Sequence, residues 1–278
     1  MKLYSRQKIL DLSSPKVMGI LNVTPDSFSD GGSFTNIDDA LQQAEKMVKQ
    51  GAAIIDIGGE STRPGASDVS LQNELDRVIP VIEKINKNLD CWVSIDTSKA
   101  VVMQEAVNAG ADLINDIRAL NEAGALQAAA KADLPVCLMH MQGAPRSMQN
   151  APDYDDVVQE VEDFLLQRVE ASLDAGIRKE NIILDLGFGF GKQLKHNFQL
   201  LAATARFVKL GFPVLTGVSR KSMFGQLLNR DINNRLAGSL AGALLAVQQG
   251  AQIVRVHDVA ETVDVIKVLQ EVNLFAEK

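Results

Sequence analysis

The chain has 278 residues, 46% of them hydrophobic and 23% charged, with a formal net charge of -7. That length suits one α/β barrel with a large buried core, and the composition is that of a soluble globular protein. The acidic balance excludes nucleic acid as a partner of the surface as a whole, so any anionic ligand must be held by a local cluster of cations.

From Met1 to Lys8 charges are followed by no apolar stretch, so no signal peptide is expected. The longest weakly polar stretch, Leu236 to Val247, is too short to span a bilayer, and no membrane contact is expected. Cys91 and Cys137 lie in or beside apolar runs and have no CxxC partner. They are read as small buried thiols of a reducing compartment, which places the protein in the cytoplasm.

Along the chain, short β-rich apolar runs alternate with longer segments of helical periodicity. The predicted strands are Val17–Val23, Ala53–Ile57, Trp92–Asp96, Leu113–Asp116, Pro135–Met139, Ile182–Asp185, Pro213–Gly217 and Ile253–Val256. The predicted helices are Asp39–Gln50, Leu71–Lys87, Lys99–Ala109, Ala123–Lys131, Tyr154–Ala175, Lys195–Val208, Asn233–Gln249 and Val259–Val272. Gly51, Gly110, Gly176, Gly211 and Gly250 sit where a helix-ending residue would. With no linker or shift in composition, residues 1–278 read as a single domain. Eight alternations of strands apolar enough to be buried on both faces predict a closed (β/α)8 barrel, an α/β TIM barrel with extended loops after strands 1 and 2. The rival fold, an open doubly wound sheet, lacks its Gly-rich turn after the first strand, where Leu21 to Pro25 stands instead.

Barrel enzymes carry their sites at the C-terminal ends of the strands. Here those ends supply Asn22, Asp56, Asp96, Asn115 with Asp116, His140, Asp185, the run Ser219–Lys221, and Arg255 with His257. Asp96, Asn115 and Asp185 form an acidic or amidic subset, while Asn22, Arg63, Lys221, Arg255 and His257 form one suited to anions. Together they suggest a ligand with a hydrogen-bond-donating heterocycle at one end and an anionic group at the other. Asp56 and Asp116 are read chiefly as turn formers, with a role behind the ligand-contacting residues left open, His140 as a satisfied core or loop residue, His196 as a surface residue, and Arg220 as a possible salt-bridge partner. The Gly187–Lys192 run is neither a Walker A loop nor a dinucleotide fingerprint. It reads as a flexible loop whose aromatic side chains can lie against a flat ligand. No zinc-ligand spacing appears.

Several segments match a known family. GILNVTPDSFSDG from Gly19, DIGGESTRPG from Asp56, SIDTS from Ser94 and NDI from Asn115 resemble the signature segments of dihydropteroate synthases. So do LMHM from Leu138, DLGFGFGK from Asp185, SRKS from Ser219 and RVHD from Arg255. The resemblance runs in order from about Val17 to His257. It implies a transferase that joins 6-hydroxymethyl-7,8-dihydropterin diphosphate to 4-aminobenzoate, a step of folate biosynthesis inhibited by sulfonamides.

By that resemblance Asp185, Asn115 and Asp96 would hold the pterin edge, Lys221 its oxygen and ring nitrogen, and Arg255 its face. Lys221, Asp96, Asp185 and Arg255 form the expected catalytic set. Asn22, Arg255 and His257 would surround the diphosphate, with Asn22 on a Mg²⁺ otherwise bound by diphosphate oxygens. Phe28, Asp30, Thr62, Arg63 and Pro64 would come from the first two loops, and Ser222, Phe190 and Met139 would line the substrate site. A homodimer through the last helices is also implied. Leu186 stands where the family usually has proline, which predicts a slightly looser loop. A methyltetrahydrofolate-dependent methyltransferase barrel, a non-catalytic pterin binder and a Schiff-base aldolase acting through Lys221 are the rivals.

Overall fold

A computed structural model of the chain describes residues 1–6, 8–24, 33–60, 69–143, 148–149 and 152–276, with backbone alone for 33–36. It opens with an antiparallel hairpin, β1 (Lys2–Ser5) and β2 (Lys8–Asp11). Eight parallel strands follow: β3 (Lys16–Asn22), β4 (Ile54–Gly58), β5 (Trp92–Asp96), β6 (Leu113–Asp116), β7 (Val136–Met139), β8 (Ile182–Asp185), β9 (Val214–Thr216) and β10 (Ile253–Val256). They pair in chain order, and β10 returns to pair with β3, closing the barrel. The eight predicted strands are these eight, each within one residue at either end.

The helices are α1 (Ser33–Lys49), α2 (Leu71–Asn88), α3 (Ala100–Ala109), α4 (Ala125–Ala132), α5 (Val157–Asp174), α6 (Leu194–Ala202), α7 (Thr204–Val208), α8 (Ser222–Leu228), α9 (Leu236–Gln248) and α10 (Val259–Ala276). All five glycines expected to end helices have positive φ. Three features depart from the prediction. The predicted helix 195–208 breaks at Ala203 into α6 and α7, the segment before α9 is a separate turn over 232–234, and α8 is an added helix after β9. The loops expected to extend after the first two barrel strands include 25–32 and 61–68, which lie outside the described residues.

Strand side chains alternate between two faces, so counting by twos sorts each barrel strand into an inward and an outward set. The outward set packs on the helices: Val17, Ile55, Val93, Ile114, Leu138 and Leu184 share one core with helix residues such as Ala44, Ile82 and Val161. At the bottom of the lumen the inward set is apolar. Met18, Ile54, Trp92, Leu113, Cys137, Ile183, Leu215 and Ile253 form a second core. The hairpin seals it from below with Leu3, Leu10 and Leu12, all buried. Buried Asp112 fixes the seal, accepting from Ser5 Oγ at 3.0 Å and Lys8 Nζ at 2.8 Å.

Candidate active site

Above that floor the same inward positions change chemistry. The next inward residues are Asp56, Ser94, Asn115, Met139, Asp185 and Arg255, and one further step up stand Asn22 and Asp96. Strand register thus carries Asp96, Asn115, Asp185 and Arg255 to one mouth.

Asp56 is the hub of this mouth. It is fully buried, and it accepts from Ser94 Oγ at 2.5 Å, Asn115 Nδ2 at 3.2 Å and Arg255 Nε at 2.6 Å. Of the two readings of Asp56 the turn former gives way to the supporting role: its carboxylate points into the lumen and orients two other site residues. Arg255 also donates through Nη2 to Asp96 Oδ2 at 2.8 Å, so one guanidinium bridges two carboxylates. Burial works against the Arg255 charge, but Asp56 and Asp96 more than offset it and hold its proton above the ordinary range. Burial pushes the Asp96 carboxyl up to about 7 against the pull of Arg255. Asp185, also buried, accepts the Gly187 N–H at 2.8 Å. Burial raises its carboxyl, while that bond, Lys221, Arg255 and Lys192 favour the charge.

Lys221 lies just before α8, its ammonium 4.2 Å from the centre of the Phe190 ring, a cation–π contact. Burial and then Arg255 lower it to about 8, with Asp185 and Asp96 opposing. Phe190 shares a small buried cluster with Met139 and Met148, and Ser222 is exposed at the first turn of α8. His257 is brought down to about 4 by burial, with Arg255 and Arg220 adding to it. Its Nδ1 lies 3.1 Å from Ser219 Oγ, and its backbone N–H donates to the same oxygen. The Asn22 amide and the Asp96 carboxylate flank Gly58, where a Cβ would lie 3.7 Å from Asn22 Oδ1 and 3.8 Å from Asp96 Oδ2. Phe28, Asp30, Thr62, Arg63 and Pro64 lie outside the described residues.

Other expectations divide. Asp116 does form a turn, accepting from the N–H groups of Arg118 and Leu120 and from Ser98 Oγ. Arg220 pairs with Asp258, as a structural partner would. His140 is a buried, satisfied residue, but His196 is not on the surface: it is buried against the edge of Tyr154, and its Nδ1 accepts the Gln193 N–H.

The Gly187–Lys192 segment is pinned rather than flexible. At Gly187, with φ +67, an added Cβ would stand 1.8 Å from the His140 carbonyl oxygen, so glycine here permits close approach of two backbones. Lys192, absent from the sequence-based site, is almost wholly buried. Its ammonium reaches the carbonyls of Gly187 at 2.9 Å, Phe190 at 3.0 Å and His140 at 3.3 Å, and His140 Nδ1 at 2.9 Å. Nor does Leu186 loosen the loop. It is fully buried in the sheet–helix core, which stabilises its position by about 2 kcal/mol in place of proline's fixed φ.

Among the described residues no helix is long and apolar enough to cross a membrane, and no three His, Cys, Asp or Glu side chains gather as a metal cage. At the mouth the Asn22 amide oxygen stands near the Asp96 carboxylate, oxygen donors of the kind a hard cation takes. Mg²⁺ bound to phosphate oxygens and water fits, with the neutral Asn22 carbonyl as one protein donor.

Residues 18–257 match the family model described as pterin binding enzyme. The dihydropteroate synthase of Haemophilus influenzae is 60% identical over 270 residues, covering 97% of this chain and 98% of that one. That of Escherichia coli K12 is 56% identical, covering 97% and 96%. Among solved structures, the Yersinia pestis dihydropteroate synthase with a sulfonamide drug complex superposes with a TM-score of 0.94 at 56% identity, covering 98% of this chain and 99% of that one. The Xanthomonas albilineans enzyme with 4-aminobenzoic acid gives 0.93 at 50% identity, covering 98% of each chain.

Proposed function

The chain belongs to the pterin binding enzyme family, and from that premise we propose how its barrel mouth performs the dihydropteroate synthase reaction. The substrates are 6-hydroxymethyl-7,8-dihydropterin diphosphate and 4-aminobenzoate. The arylamine nitrogen bonds to the pterin methylene carbon, the carbon–oxygen bond to diphosphate breaks, and the amine proton passes to solvent. The products are 7,8-dihydropteroate and pyrophosphate.

One observation carries the assignment of roles: the inward register brings Asp96, Asn115, Asp185 and Arg255 to one mouth, where Asp56 joins Asn115 to Arg255 and Arg255 reaches on to Asp96. A pyrimidine edge with parallel N–H donors suits the Asp185 carboxylate and the Asn115 amide. Asp96 accepts from the other ring N–H groups, Lys221 donates to the ring oxygen and nitrogen, and Arg255 lies along the ring face. As the carbon–oxygen bond stretches, positive charge spreads into the dihydropterin, where these fixed carboxylates stabilise it better than mobile water would. Arg255 and the neutral His257 serve the diphosphate end. Asn22 would hold a Mg²⁺ at this end, and the ion would supply charge neutralisation for the leaving group.

Phe190, Met139 and Ser222 form the arylamine end, where a sulfonamide, sharing the arylamine head, competes. Phe28, Thr62, Arg63 and Pro64 are assigned to the same site by resemblance. We place the enzyme in the cytoplasm as a single domain over 1–278, consistent with its two unpaired buried cysteines. We assign it a homodimer through α9 and α10, which expose Leu245, Val268 and Val272. Sedimentation at micromolar concentration should give twice the mass of the chain; a monomer would remove that assignment.

The reaction is tested by pyrophosphate release with both substrates and Mg²⁺, beside Asp185→Ala. Loss of a buried carboxylate that accepts hydrogen bonds should cost about 2–4 kcal/mol, roughly 30- to 1000-fold in kcat/KM. Pterin binding without turnover by the wild type would overturn the assignment in favour of a binder.

A further inference from the structure

Lys192 is a buried cation that the roles above leave unused. It is 3% exposed, and its ammonium reaches the carbonyls of Gly187, Phe190 and His140, and the His140 ring. Burial pushes His140 down to about 2, so its ring is neutral at neutral pH, and the tautomer with a bare Nδ1 is the one that can accept from the Lys192 ammonium. Burial also pulls the Lys192 ammonium down to about 7, with Asp185 opposing it and Lys221 adding to it.

These acceptors belong to two segments. Gly187 and Phe190 form a turn closed by their own bond at 3.1 Å, and His140 follows β7. Asn197 and Tyr154 also hold the turn, through the Gly189 N–H and the Gly191 carbonyl. Lys192 differs from them by joining it to the end of β7, beside the strand that supplies Asp185. What the turn presents to the mouth is the Phe190 ring beneath the Lys221 ammonium. A side chain at Gly189 would come within 3.1 Å of Lys221 Cδ, so Lys221 lies directly over the turn.

We propose that Lys192 is a positioning residue for the arylamine half-site, acting as an internal clamp that fixes the Gly187–Phe190 turn to His140 and thereby sets the Phe190 ring and the Lys221 chain above it. The inference rests on the dihydropteroate synthase reading. It assigns to this loop a division of labour: Asp185 anchors the pterin from the strand end, and Lys192 sets the surface that the second substrate meets.

The test varies both substrates in steady state and measures pterin diphosphate binding separately by calorimetry. In Lys192→Met, KM for 4-aminobenzoate should rise about tenfold or more, while the dissociation constant of the pterin diphosphate stays within about threefold. Because Lys192 acts through Phe190, adding Lys192→Met to Phe190→Leu should raise that KM by much less than it does alone. Should the Met variant fail to fold, Lys192→Gln, which keeps two N–H donors, carries the same measurements. Equal losses for both substrates, an unchanged arylamine KM, or fully multiplicative losses in the double variant would each overturn the inference. Absence of turnover in the wild type would instead overturn the reading on which it rests.

Discussion

The floor and the mouth of the barrel occupy equivalent inward positions on the same strands, two residues apart, yet are held together in opposite ways. Ile54, Leu113, Ile183 and Ile253 fill the floor by shape and apolar contact, with the hairpin leucines beneath. Directly above them Asp56, Asn115 and Arg255 meet through directed bonds, with the buried Asp185 carboxyl on the neighbouring strand end. Contacts of the first kind stabilise whatever ligand is present. Charges of the second kind are desolvated before any ligand arrives, a cost that only mutual pairing offsets. The stable floor is what allows the mouth to be so heavily charged.

Breaking the mouth should have the largest effect. Asp56→Ala leaves the buried Arg255 with one carboxylate and Asn115 without its acceptor, which should cost about 3–5 kcal/mol of stability and most of kcat/KM together. Melting curves and initial rates on the same preparation check this, and unchanged stability would show that water replaces the carboxylate. Breaking the floor separates the two quantities. Leu3→Ala should lower stability by about 2–4 kcal/mol, with kcat and both KM values unchanged at a temperature where the protein remains folded. A kcat that fell with stability would show that the hairpin reaches the site.

The smallest effect sharpens the contrast through pH. Asp96, raised to about 7, takes up its proton as pH falls through that value. Lys221, lowered to about 8, loses its proton as pH rises through that value. The pH profile of kcat/KM for the pterin diphosphate should therefore be narrow and bell-shaped, falling on the acid side with Asp96 and on the alkaline side with Lys221. Lys221→Gln should remove the alkaline limb; its persistence would assign that limb elsewhere.

Strands are legible in the sequence because burial on both faces makes them continuous apolar runs, and helix ends because glycine marks them. The hairpin is not, since its turn at Arg6 uses a non-glycine residue at φ 50 and no Asn-Gly or Asp-Gly pair announces it. Asp56 and Asp116 look alike as strand-end carboxylates. Counting by twos from Ile54 puts Asp56 in the lumen, whereas counting from Leu113 puts Asn115 there and turns Asp116 outward to cap its loop. Strand parity is thus the signal that separates the two carboxylates. Lys192 offers no such signal, because three of its acceptors are backbone carbonyls and its side-chain partner lies 52 residues away.

The bond between Arg255 and Asp56 spans 199 residues of chain. As the protein is synthesised, the strands bearing Asp56 and Asp96 emerge long before β10 and its guanidinium. Until then the lumen confronts two carboxylates with no cation between them, a local conflict that works against premature sealing. Docking of β10 supplies the charge and closes the ring of strands in one event. The contact that prepares the mouth for chemistry thus depends on the strand that closes the ring, and a truncated chain lacking β10 would have neither a closed barrel nor a settled site.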